Sequence, residues 1–214
     1  MLFLVNVNKF LKFFLISSLV CFLLGLITIL SVFIIYSKGL PSIDELKAYN
    51  PSLTSRVYSS DGILLKEYAK EDRLFVSIEN VPDVIKYAFI SAEDSNFYNH
   101  FGIDFFALFK AMISNLRSIK NGGNLRGAST ITQQVVKNML LTNERTLTRK
   151  IKEAILAFKI TKALPKDKVL ELYLNQIFLG YRSYGVVSAS LNYFNKSIDD
   201  ITIEEAALLA AMPK

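Results

Sequence analysis

The chain has 214 residues, 51% of them hydrophobic, with 25 basic residues against 19 acidic ones and a formal net charge of +6. This length holds one globular domain of ordinary size, and the positive mean hydropathy indicates that part of the chain lies outside water. A single cysteine, Cys21, excludes an intramolecular disulfide and a thiolate metal cluster.

From Phe13 to Tyr36 about two dozen residues carry no charge and are rich in Leu, Ile, Phe and Val, enough for a helix to cross the hydrocarbon core. The run is longer than a signal-peptide core. It ends Phe33-Ile34-Ile35-Tyr36-Ser37-Lys38 without a small-residue cleavage pattern, so it reads as an uncleaved signal anchor. Lys9 and Lys12 before it, against Lys38 and Lys47 after it, give a slight bias toward a cytoplasmic amino terminus. With Lys9 and Lys12 set aside, 23 basic residues stand against 19 acidic ones, so the remainder keeps about four of the six charges. That excess suits anionic headgroups or a diphosphate, and equally suits solubility.

The expected organisation is a short cytoplasmic tail over 1–12, the membrane anchor over 13–36, a juxtamembrane connector over 37–55 and one domain over 56–214. Arg56 to Ser60 and Ile63 to Tyr68 flank Asp61-Gly62, a turn pair that predicts a hairpin, and a further strand is expected at Leu74 to Ile78. From Pro82 onward the pattern is helical, beginning with Val84, Tyr87, Ala88 and Ser91-Ala92 on one face. Asp104, Ser129 or Thr130, and Thr146 are candidate helix caps, with Gln133 completing a capping box on Thr130. The next helix spans Lys168 to Phe178 and stops at Gly180, another reaches Phe194, and Thr202 with Glu205 boxes the last, which Pro213 ends. The helix from Phe105 to Ile119 bears a wide apolar stripe that could face the core or the bilayer surface, and a core face is the expectation.

Four clusters could carry chemistry. In Glu93-Asp94-Ser95-Asn96-Phe97-Tyr98-Asn99-His100-Phe101-Gly102, a carboxylate shielded by Phe97 and Phe101 could accept a proton, although two acids at a helix end also read as a solvated pair. In Gly127 to Asn138 a loop precedes a helix amino terminus with free N–H groups, which suits a phosphate. Gln133 and Lys137 share a face there, and an ordinary capping box with a surface lysine is the alternative. Arg149, Lys150 and Lys152 crowd the start of a helix against its dipole, which a bound anion would relieve; a surface ion pair of Arg149 with Glu153 is the alternative. Glu171 and Asn175, isolated in an apolar stretch, read as buried structural groups.

Taken in this order, these stretches resemble the motifs of glycosyltransferase family 51, the transglycosylase module of class A penicillin-binding proteins and their single-module relatives. The pattern E-D-x-x-F-x-x-H-x-G falls on Glu93 to Gly102, and G-x-S-T-I-x-Q-Q-x-x-K-N on Gly127 to Asn138. R-K-x-x-E falls on Arg149 to Glu153, and E-x-Y-L-N-x-I-x-x-G on Glu171 to Gly180. The resemblance covers roughly Arg56 to the last residue. It implies a mainly α, lysozyme-like helical fold, here with a small hairpin and one preceding transmembrane helix, with its cleft open toward the membrane. It implies polymerisation of lipid II, a disaccharide-pentapeptide on undecaprenyl diphosphate, with inversion at the anomeric carbon, on the outer face of the cytoplasmic membrane.

By the same resemblance Glu93 is the general base and Glu153 a second acid near the leaving group, acting as acid or as organiser of the basic residues. Substrate would be held by Ser129, Thr130, Gln133, Gln134, Lys137, Asn138, Arg149 and Lys150. No dedicated metal site is expected; a divalent cation, Mg or Mn, is compatible with the diphosphate. The implied partners are lipid II, the growing glycan strand, the cytoplasmic membrane and cell-wall synthesis proteins, with no nucleic acid.

Three departures qualify the match: Asn195 stands where the family has glycine, Met212 where it has leucine, and no S-x-x-K or K-T-G transpeptidase motif occurs. A muramidase-like enzyme and an inactive membrane-anchored fragment of a longer protein are the competing readings. The last helix, apolar nearly all round, is expected to be buried and to gain stability from the sequence that follows it in the family.

Overall fold

The computed structural model describes residues 2–42, 44, 55–62, 64–68, 72–124, 127–141, 144 and 146–213. Two compact units divide at residue 40. The first is helix α1 (Leu2–Ser37). Its stretch Leu11–Ser37 has mean hydropathy 2.8 and buries none of its side chains against protein, as a helix solvated by lipid would. The hydroxyl of Thr28 donates to the Leu24 carbonyl at 2.8 Å, so its polar group is satisfied within the helix. Most of the expected connector, residues 45–54, lies outside the described residues.

The second unit is mainly helical, as expected. It opens with the hairpin: β1 (Ser55–Tyr58) runs antiparallel to β2 (Leu64–Tyr68), with Ser55 opposite Tyr68 and an irregularity between Val57 and Tyr58. At the turn, Gly62 has φ +82° and its N–H donates to the Ser59 carbonyl at 3.0 Å. The strand expected at Leu74 to Ile78 is not formed. Strand β3 is the pair Asp72–Arg73, parallel to β4 (Ser183–Tyr184), and Ile78–Asn80 is a single 3-10 turn. Side chains of a later helix take the place of a neighbouring strand: Asn175 accepts from the Val76 N–H and donates to its carbonyl, both at 2.8 Å, and Glu171 accepts from the Ile78 N–H at 2.9 Å. Glu171 and Asn175 are thus the buried structural groups that the sequence suggested.

Helix α2 (Asp83–Glu93) buries Ile85, Phe89 and Ile90, not the face through Val84, Tyr87 and Ala88 expected from the sequence; Tyr87, Ser91 and Ala92 are exposed. Helix α3 (Phe105–Asn121) is capped by Asp104, which accepts from the Ala107 N–H at 2.8 Å. Its apolar stripe overturns the core expectation: Phe105, Phe106, Leu108, Phe109, Met112, Leu116 and Ile119 are all exposed. Helices α4 (Ile131–Leu140) and α5 (Leu147–Ala163) start at Thr130 and Thr146, and the Thr130–Gln133 capping box is complete.

Helix α6 (Lys166–Gln176) is buried at every position from Val169 to Asn175 and packs on α4. Each fully buried leucine there contributes about 1.5–3 kcal/mol, which makes α6 the centre of the core. It ends at Ile177 rather than continuing to Phe178. After it come α7 (Val186–Phe194) and α8 (Ile203–Ala210), the latter boxed by Thr202 and Glu205 and packed on α2. Only one face of α8, with Ala206, Leu209 and Ala210, is buried; Ile203 and Leu208 are exposed, against the expectation of burial all round.

Candidate active site

Glu93 closes α2, and the next residue leaves the helix with φ −158°. The two acids therefore diverge. The Asp94 carboxylate turns inward and is buried: it takes the Ile131 N–H at 3.0 Å and sits 2.9 and 3.0 Å from Nε2 of His100, which is also buried. The Gly102 N–H donates to His100 Nδ1 at 3.1 Å, so that nitrogen carries the lone pair and Nε2 carries the proton given to Asp94. Gly102 itself has φ +90°, and a Cβ there would stand 2.4 Å from the Ala157 carbonyl oxygen. The Thr130 hydroxyl donates to the Gly102 carbonyl at 2.6 Å. These contacts stitch the first and second clusters together and place the start of α4 under the end of α2.

Glu93 stays half-buried at this junction, and its Oε2 accepts from Gln134 Nε2 at 2.6 Å. Of the two aromatic residues expected to shield it, Phe97 is fully buried but Phe101 is exposed at 70%. Phe97 instead carries the Lys166 ammonium 4.5 Å above its ring. Burial pushes that ammonium's pKa down, and the Asp94 charge opposes the shift.

Along α4 the candidate residues divide by face. Thr130 and Gln133 are buried and bonded to each other in the capping box, so their side chains are used by the fold. Gln134, Lys137 and Asn138 face a cleft of about 570 Å³, closed on the other side by Ile177, Phe178, Gly180, Tyr193 and Met212. Lys137 thus shares its face with Gln134 rather than with Gln133. Nothing among the described residues pairs with its ammonium.

The third cluster is an ion-pair network around a buried acid. Glu153 is 1% exposed; Arg149 Nη1 reaches its Oε2 at 2.6 Å, and Lys150 Nζ contacts its Oε1. The Arg149 Nε–H donates to the Glu144 carbonyl, and Lys150 also donates to the Ser129 hydroxyl at 2.8 Å. Glu153 is therefore no surface partner. It accounts for two of the three cations that oppose the α5 dipole, and it leaves a net positive pair beside the start of α4. Ser129 ties this network to α4. Lys137 lies about two turns further along α4, roughly 10 Å away along its axis.

With this geometry in view, comparison with known proteins is decisive. The family model described as Transglycosylase matches residues 61–214. The chain belongs to the transglycosylase family. Its relatives include the penicillin-binding proteins 1A of Rickettsia bellii, 49% identical over 90% of this chain, and of Rickettsia typhi, 49% identical over 96%. That of Neisseria flavescens is 48% identical over 92%. The match takes in 24%, 26% and 24% of those three proteins, so this transglycosylase chain spans about a quarter of their length. The crystal structure of penicillin-binding protein 1A from Haemophilus influenzae aligns over 77% of this chain and 14% of its own, with 23% identity and a TM-score of 0.36.

Several groups at the candidate site had no role that the sequence alone assigned. Asp94 and His100 stood in the first motif, six residues apart, without a role; that spacing on either side of a turn was the available signal. Tyr173 stood at the tyrosine of the fourth motif without a role, and Phe178 carried no signal beyond its apolar character. Among the described residues no three His, Cys, Asp or Glu side chains group closely enough to hold a metal.

Proposed function

We propose that this chain is a peptidoglycan glycosyltransferase that polymerises lipid II into glycan strands. The observation that carries the reading is the position of Gln134: it lines the cleft and holds Glu93 at 2.6 Å, one turn from Lys137, which also lines it. The base is thus held by one residue of the cavity lining and the cation Lys137 is another, which suits a reaction that removes a proton at one end and releases a diphosphate at the other.

In this reading Glu93 takes the proton from the acceptor sugar's 4-hydroxyl as its oxygen attacks the donor's anomeric carbon. A C–O bond forms with inversion, and the bond to the diphosphate breaks. Lys137 meets the leaving diphosphate, and Arg149 and Lys150 add positive potential from the start of α4. Glu153, bonded to Arg149 and Lys150, acts in this reading as the organiser of the two cations. Among the described residues no carboxylate, imidazole or thiolate cluster would hold a metal by itself, so in this reading a divalent cation would come with the diphosphate.

The exposed apolar face of α3 supports a seat at the bilayer surface, where the lipid-linked substrate resides. We infer that α1 anchors the chain in the cytoplasmic membrane with the domain on the periplasmic side, beside other cell-wall synthesis proteins. Strand synthesis from purified lipid II tests the reading. Glu93→Gln keeps the shape of the side chain but not its basicity, and should lower polymerisation by at least about a hundredfold with the melting temperature unchanged. Activity within a few-fold of the parent, or cleavage of finished glycan in place of synthesis, would refute it.

A further inference from the structure

Beneath Glu93 lies a group that the mechanism above does not use. Tyr173, on α6, is 1% exposed, and its hydroxyl is buried without a hydrogen-bond partner among the described residues. Its ring meets that of Phe89 edge-on, with centroids 6.1 Å apart and planes at 73°. Phe89 and Glu93 are four apart on α2 and share one face, so Tyr173 packs against the residue one turn before the base. Burial pushes the phenol pKa up, and the negative charge of Glu93 pushes it further in the same direction.

A buried hydroxyl without a partner opposes folding, and its retention calls for a state in which it is bonded. Glu93 supplies that state. Its Oε2 is taken by Gln134, an amide nitrogen that can only donate and so suits the carboxylate alone. Once the base has received a proton it needs an acceptor. A phenol can both donate and accept, so it can serve the carboxylate before proton transfer and the carboxylic acid after it.

We propose that Tyr173 is a positioning residue for Glu93: its hydroxyl donates to the carboxylate in the substrate complex and accepts from the protonated acid once the acceptor sugar has given up its proton. Tyr173 touches no substrate, and it acts only through Glu93. The inference rests on the assignment of Glu93 as base.

Tyr173→Phe removes one oxygen and no hydrogen bond among the described residues. The full-length variant should therefore melt at or above the parent's temperature. With lipid II, kcat should fall by at least about tenfold while KM stays within about twofold. Added to Glu93→Gln, it should cause no further loss, because both changes disable one proton transfer. A Tyr173→Phe enzyme with parental kcat, beside an inactive Glu93→Gln enzyme, overturns the role of Tyr173 and leaves the base assignment standing. A lower melting temperature, or a rise in KM with kcat unchanged, overturns it as well by showing that the hydroxyl supports the fold or the substrate site. If Glu93→Gln retains activity, the base assignment falls and this inference falls with it.

Discussion

Glu93 and Asp94 are adjacent carboxylates in different surroundings, because the helix ends between them. Asp94 turns inward to an N–H and an imidazole, and Glu93 meets Gln134, which lines the cleft. The same division sets the expected behaviour of the cations. Lys137 pairs with nothing among the described residues, so Lys137→Ala should raise the KM for lipid II by at least about tenfold and leave the melting temperature within a degree or two. Arg149→Ala should cost both affinity and stability, since it leaves the buried Glu153 with one partner fewer. Lys162→Ala, an exposed cation over Phe158, is the control; equal losses in all three would reduce the effect to general surface charge.

Asp104 gives a pH test at the same scale. The Ala107 N–H, helped by Asn96, holds its carboxyl below the ordinary carboxylate range. A folded-state pKa below the unfolded one adds stability that is present above the unfolded value of about 3.9 and lost as the pH falls through the lower folded value. Asp104→Ala should therefore lower the melting temperature by roughly 2–4 °C at neutral pH, for a cap worth about 1 kcal/mol. The difference from the parent should shrink below about pH 4. A deficit that persists undiminished at pH 2.5 would contradict the charged cap.

Among the elements, α3 departs furthest from its expected place. Its stripe has the period of a core-facing helix, yet Phe109 is 55% and Leu116 64% exposed. Replacing both with serine should change the melting temperature by less than about 2 °C, whereas truncating core side chains of this size costs about 2–5 kcal/mol each. Lipid II in vesicles should become a poorer substrate for this variant, and lipid II in detergent should be affected much less. Equal losses in both media would argue against a bilayer seat for α3. Helix α6 shows the opposite case: Glu171 and Asn175 interrupt its apolar run, yet both are buried, because the irregular segment through Val76 and Ile78 needs their hydrogen-bonding groups.

For the whole chain, α1 is long and apolar enough to cross a membrane, and residues 41–214 form a separate unit that holds the candidate site. If the domain lies on the periplasmic side, a cysteine placed at the exposed Ala163 should react with a membrane-impermeant maleimide in cells whose outer membrane has been made permeable. The natural Cys21, inside the apolar span, should stay unlabelled. Labelling of the Ala163→Cys protein only after lysis would reverse the orientation.

By itself the sequence determined whatever depends on neighbours along the chain. The apolar run became α1, Asp61-Gly62 became a hairpin turn, and Asp104, Thr130, Thr146 and Thr202 became caps, because a cap or a turn is closed by residues only a few positions away. The four motifs in register also carried the family. Tertiary structure decided the rest. Only packing could show that α2 buries Phe89 rather than Tyr87, that the stripe of α3 stays exposed, or that Gln134 and not Gln133 faces the cleft with Lys137. Periodicity shows that a helix has an apolar face, but what covers that face depends on elements distant in the sequence, and so does the burial of Glu153 or of the Tyr173 hydroxyl.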